Sequence, residues 1–200
     1  MPYDYSDAPP QRELIPANTV ATCCLHIQGG GAGEGGMLKL SRDGHCAMLS
    51  LEITLLDGEF AKRKLWENWI VEGVDHAKAI EISRSRIKAV LDSALGLDPK
   101  DVSPQARAAR TKSYKELEGL NFLGKIGIEK GAPKNDGSGE NWPDKNILAA
   151  IITPDRREWH PVTQPPPFNG GGPATSGSAA PSSSAPPTST PPITRPGWAS

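Results

Sequence analysis

Residues 49–70 read LSLEITLLDGEFAKRKLWENWI. Leu49, Leu51, Ile53 and Leu55 alternate with Ser50, Glu52 and Thr54, and Met48 falls in register with the second set. A period of two sends the aliphatic set to one face of a strand and the other set to the opposite face. The second half opens on Lys62, Arg63 and Lys64 and carries Trp66 and Trp69. Asp57-Gly58 between the runs signals a hairpin, because Gly tolerates the positive φ that such turns need. Trp66 and Trp69 differ in parity, so a regular strand separates them and at least one belongs to the core. Cations beside an exposed aromatic offer charge for phosphates and a flat face for bases. Nucleic acid is therefore the leading ligand expectation.

Upstream, residues 19–27 (TVATCCLHI) are rich in β-formers and predict a first strand. The glycine run in 28–36 predicts a flexible loop; it lacks the Gly-Lys-Ser/Thr ending of a phosphate-binding loop and leads to a strand. Downstream the period changes: Ile80, Ile87, Leu91 and Ala94 recur at helical spacing over 75–95. Gly96 suits the C-cap and Pro99 prevents continuation. Ser103-Pro104 reads as an N-cap with Pro in the first turn of a short helix through Ala109. Ser113 and Glu116 have capping-box spacing.

A fourth strand follows over 120–129, with Phe122, Gly124, Ile126 and Ile128 on one face and Asn121, Lys125 and Glu129 on the other. The apolar run of 146–153 predicts a fifth strand buried on both faces. Three strands, a long helix and two strands is the order of an OB-fold, a partly open five-stranded barrel with the helix between strands three and four. A mainly β chain of that kind is the expectation; a helix packed on a meander in an α+β sandwich has the same order.

The net charge is −1, which excludes coating of nucleic acid by bulk electrostatics and requires a local patch. From Gln164 onward the chain is mostly Pro, Ser, Thr, Gly and Ala, and Arg195 is its only charged side chain. Such a composition buries too little apolar surface to offset the entropy of ordering. The expected organisation is an N-terminal arm (1–13), one domain (14–162) and a disordered Pro/Ser-rich tail (163–200). Within the tail, Phe168 and Trp198 put aromatics in a disordered background, as short recognition motifs do; a solubilising linker is the plainer account. Three cysteines, Cys23, Cys24 and Cys46, fit a reducing compartment better than a disulfide scaffold. Neither a membrane-spanning run nor a signal-peptide pattern is present, so a cytoplasmic location without membrane association is expected.

Several stretches carry a resemblance. They are 14–19 (LIPANT), 56–66 (LDGEFAKRKLW), the Ala/Ile-rich helix, 117–119 (LEG) and 122–128 (FLGKIGI). Through them residues 14–162 resemble a family of small phage and prophage proteins of formally unknown function from replication and recombination modules. The resemblance implies an accessory DNA-metabolism protein of a bacterial host's cytoplasm, binding single-stranded DNA and acting beside a phage recombinase or replication protein. It implies no catalytic residues.

The candidate nucleic-acid contacts are Lys62, Arg63, Lys64 and Trp66 in the hairpin, Lys125 on the fourth strand, and Lys130, Lys134, Trp142 and Lys145 in the loop 130–145. A solvated basic turn over buried tryptophans would read the same way. Cys23, Cys24, His26, His45 and Cys46 are zinc-type ligands, but their spacing matches no knuckle or ribbon, and buried free thiols are the simpler account. No cofactor is expected. Carboxylates are scattered and no nucleophile or metalloprotease motif occurs, so nothing points to an enzyme. The rival class is a protein-interaction module, such as a recombinase partner or host-directed inhibitor, using the same hairpin.

Overall fold

Leu49, Leu51, Ile53 and Leu55 are all buried, and Ser50, Glu52 and Thr54 between them are partly exposed, so the expected alternation holds. The computed structural model describes residues 13–135 and 139–165. In chain order the strands are β1 (Val20–Gln28), β2 (Lys39–Leu40), β3 (Cys46–Leu55), β4 (Lys64–Gly73), β5 (Asn121–Glu129) and β6 (Lys145–Ile152). The helices α1 (Ala77–Leu95) and α2 (Pro104–Arg110) lie between β4 and β5. The expected arm and tail, save Glu13 and residues 163–165, fall outside the described residues.

The molecule is mainly β, an open antiparallel sheet of six strands with two helices. β3 is its hub: β4 pairs along one side from Thr54↔Lys64 to Cys46↔Gly73. β1 pairs along the other, from Cys23↔Leu55 to Gln28↔Ser50. β1 then pairs β5, and β5 pairs β6. The expected closed barrel is not seen, because no ladder joins the outer strands β4 and β6 among the described residues. These two edges nevertheless lie close together, and the Leu148 amide of β6 donates to Glu67 Oε1 of β4 at 2.9 Å. A side chain supplies there what a ladder would otherwise provide.

Other expectations change in detail. β2 is a sixth strand, two residues long and too short for any period to announce it. The glycine-rich segment before it is a defined turn, with Gly33, Gly35 and Gly36 at positive φ and the Gly30 and Gly31 amides donating to Gly36 O. The hairpin through Asp57-Gly58 forms as expected, with Gly58 at φ 71°. The connection spans 56–63 and is closed by Lys62 N to Leu55 O at 2.7 Å and Leu55 N to Arg63 O at 2.9 Å. Asp57 accepts from the Thr22 amide at 3.0 Å and from the Thr22 hydroxyl, fastening this turn to β1. The third strand therefore begins at Lys64 rather than Lys62, which sits at φ 68°. The last strand is not buried on both faces, since Ala149 and Ala150 are exposed.

The helical signals read correctly. α1 ends on Gly96 in the left-handed conformation (φ 68°), with its amide donating to Asp92 O. Ser103 Oγ caps α2 by accepting from the Ala106 amide at 3.2 Å, and the Glu116 carboxylate accepts from the Ser113 amide at 2.8 Å. α1 packs on β4, β5 and β6, burying Val90 and Leu91 against the cluster that contains Leu25, Leu65, Trp69, Phe122 and Ile126. Each such large side chain removed from water contributes roughly 1.5–3 kcal/mol. Behind α1, Gln164 accepts from the Asn121 amide at 3.0 Å and donates to Ala94 O at 3.0 Å, so the hydrogen-bonded segment runs two residues past Val162. Among the described residues, no helix is long and apolar enough to cross a membrane.

Candidate nucleic-acid interface

The register of three strands builds one surface from residues far apart in sequence. Trp66 lies opposite Glu52, and Glu52 opposite His26. One row over, Lys64, Thr54, Cys24 and Asn121 follow in line across β4, β3, β1 and β5. On the other side run Asn68, Ser50 and Gln28. Strand parity parts the two tryptophans: Trp66 is 64 % exposed and Trp69 is 3 % exposed. Trp69 is held in the core, its indole N–H donating to Glu67 at 2.7 Å and the Arg86 guanidinium 5.7 Å over its ring.

Charge on this face is balanced. Lys64 Nζ sits 2.7 Å from Glu52 Oε1, and the Lys64 ammonium, followed by His26 and Trp66, holds the Glu52 carboxyl below the usual carboxylate range. His26 Nδ1 lies 2.9 Å from Glu118 Oε1, whose second oxygen accepts from the Ile27 amide at 2.6 Å. Arg63 donates to the Glu13 carbonyl at 2.8 Å, and Lys62 is exposed in the turn beside it. At this end of the sheet Thr22, Leu56, Asp57, Asn121 and the 161–165 segment enclose a hollow of about 530 Å³.

The remaining candidates are elsewhere. Lys125 lies opposite Val20, four residues along β5 from Asn121 and so about 13 Å away along the strand at ~3.3 Å per residue. It pairs with Glu158 at 3.3 Å. Lys145 closes the β5–β6 pair opposite Glu129, and Lys130, Lys134 and Trp142 sit beyond it, on an arm braced by Lys134 N to Glu140 O and Trp142 N to Ala132 O, both 2.8 Å. Lys130 binds Asp144 at 2.6 Å, Lys145 binds Glu129 at 2.8 Å, and Lys134 binds Glu140 while lying 5.8 Å over the Trp142 ring. The hairpin cations are thus separated from Lys125 and the arm, and Lys64, Lys125, Lys130, Lys134 and Lys145 each hold a carboxylate. The arm is tight at its base, where a Cβ on Gly131 would fall 1.5 Å from Trp142 O.

Sequence reasoning missed His26, Glu52, Asn68 and Gln28 as neighbours of Trp66. Alternation already put Glu52 on the polar face, but only the cross-strand register shows which residue faces it. The three cysteines are free and buried. Burial first, and then the Asp57 charge, pushes the Cys23 thiol up to about 12. Native protein at pH 8 is expected to leave Cys23 unmodified by a thiol-disulfide reagent and to expose it only on unfolding. Mass mapping of the labelled cysteines checks this; rapid labelling of Cys23 in folded protein contradicts it.

No family model, curated protein or solved structure matches the chain.

Proposed function

We propose that the chain is a noncatalytic single-stranded-DNA-binding protein, an accessory of phage replication or recombination in the cytoplasm of a bacterial host. The observation that carries this reading is Trp66, a large aromatic left 64 % exposed on the outer strand β4 near the turn end of a polar sheet face, beside Lys64 and next to the Lys62–Arg63 turn. Such a surface stacks bases of any identity. Strand connectivity supports it. The order β4-β3-β1-β5-β6, with α1 between β4 and β5 and the two edges bridged through Glu67, is what an OB barrel has when a side chain spans its seam. The face then corresponds to the strand 2–3 surface through which that fold takes single strands. A phage recombinase or replication protein is the partner class this role implies.

Fluorescence titration with oligo-dT tests the reading. Trp66→Ala is expected to weaken binding by roughly 5- to 150-fold, the ~1–3 kcal/mol of one stacked base, without changing the melting temperature. Because the surrounding carboxylates hold Lys64, few phosphates are neutralised. Two to three contacts from Lys62, Arg63 and Lys64, at about −0.7 per phosphate on a single strand, give a log–log salt slope of about −1.4 to −2.1. Folded protein that shifts no oligonucleotide at low salt ends the proposal. The interleaved Glu52 and Glu118 favour a second reading, a protein partner on the same face, whose binding would change little with salt.

A further inference from the structure

A second surface lies away from the Trp66 face, in the groove of about 470 Å³ between α1 and β6. Small side chains, Ser85 and Ala89 on the helix and Ala149 and Ala150 on the strand, line it together with Leu148, Ile151 and Arg86, whose charge Glu67 holds. Ile82 stands on the same helical stripe and is 50 % exposed. Among the described residues β6 pairs only with β5, and after Lys145 at its start the strand (146–152, NILAAII) carries no charge. The rim carries opposite charges one turn apart, Lys78 and Glu81. The chain's ten ion pairs among the described residues include neither of them.

We infer that this groove is the contact between two copies of the chain. A two-fold interface uses one patch twice, so the patch must supply both halves of every contact. This one does. Ile82 is a knob, and the small side chains of Ser85, Ala89, Ala149 and Ala150 leave a hole beside it. Lys78 of one copy faces Glu81 of the other, and the reverse holds by symmetry, completing two ion pairs that neither copy makes alone. Self-complementary charge with an apolar centre selects a second copy over an unrelated protein, which would have to bring both signs in the same arrangement. The dimer leaves the Trp66 face of each copy open.

Sedimentation equilibrium of the full chain at about 100 µM, enough to populate contacts as weak as ~10 µM, is expected to give twice the 21.3 kDa chain mass. Ile82→Asp, a change at an exposed position, is expected to leave a folded monomer. Lys78→Glu and Glu81→Lys each place like charges opposite one another and should raise the dissociation constant at least tenfold. The double variant K78E/E81K should restore it. A monomer in the unaltered chain overturns the proposal. So does a dimer indifferent to Ile82→Asp, or a double variant as weak as either single one, with melting curves confirming that every variant is folded.

Discussion

Replacing Asp92 by alanine is expected to cost about 3–5 kcal/mol and to lower Tm by roughly 10 °C, since it strands a charge inside the protein. Asp92 is fully buried near the C-terminal end of α1. Its carboxylate accepts from Arg110 Nε at 2.6 Å and from Lys88 Nζ at 2.6 Å. Arg110 also donates to the carbonyls of Asp98 and Asp101, and Lys88 to that of Pro99. One carboxylate thus ties the 97–103 connection and α2 to α1. Without it the Arg110 side chain, 12 % exposed, keeps its charge but loses its counterion. Adding Arg110→Ala to Asp92→Ala should cost much less than Arg110→Ala alone, because the first change has already removed the pair. Chemical denaturation of the four proteins measures this coupling. Additive losses would mean that the two side chains act independently.

Glu67→Ala is expected to cost a similar 3–5 kcal/mol, for a different reason: it leaves three donors without their acceptor. The side chain is 11 % exposed. It accepts from the Trp69 indole at 2.7 Å, the Leu148 amide at 2.9 Å and Arg86. The Leu148 bond bridges the two edge strands, so its loss should loosen that seam before the rest of the sheet. Hydrogen exchange at the Leu148 amide should accelerate more than at Leu51 or Ile53 in the centre of β3. Glu67→Gln keeps an acceptor oxygen and should lose less. Uniform acceleration across the sheet would show that Glu67 contributes only to global stability and not to the seam.

Much of the fold was legible because its signals are local. The alternation of Leu49 to Leu55, the glycine after α1 and the Ser-Pro start of α2 each depend on backbone geometry within a few residues, and each appears where the spacing puts it. Strand parity separated Trp66 from Trp69 on the same grounds. The hairpin at Asp57-Gly58 was legible too, but not that the Asp57 carboxylate serves Thr22, thirty-five residues earlier, since no local rule reports such a partner. β2 escaped because two residues have no period; what defines them is pairing with Met48 and Ala47.

The candidate site divides in the same way. Residue type alone marked Lys62, Arg63, Lys64 and Trp66, and these do lie together at one end of a sheet face. It could not show that Lys64, Lys125, Lys130, Lys134 and Lys145 each hold a carboxylate, because four of the five partners come from another part of the chain or the facing strand.

By itself the sequence determined the strand faces, the helix limits and that Trp66 and Trp69 part to opposite faces, since φ, ψ and side-chain period are properties of neighbouring residues; burial in the structure decided that Trp66 is the exposed one. Only the tertiary structure decided how the strands are ordered, that Glu67 bridges the two edges and how much positive charge stays free. Those depend on contacts between residues tens of positions apart, and a charge's effect is set by what lies within a few ångströms of it in space.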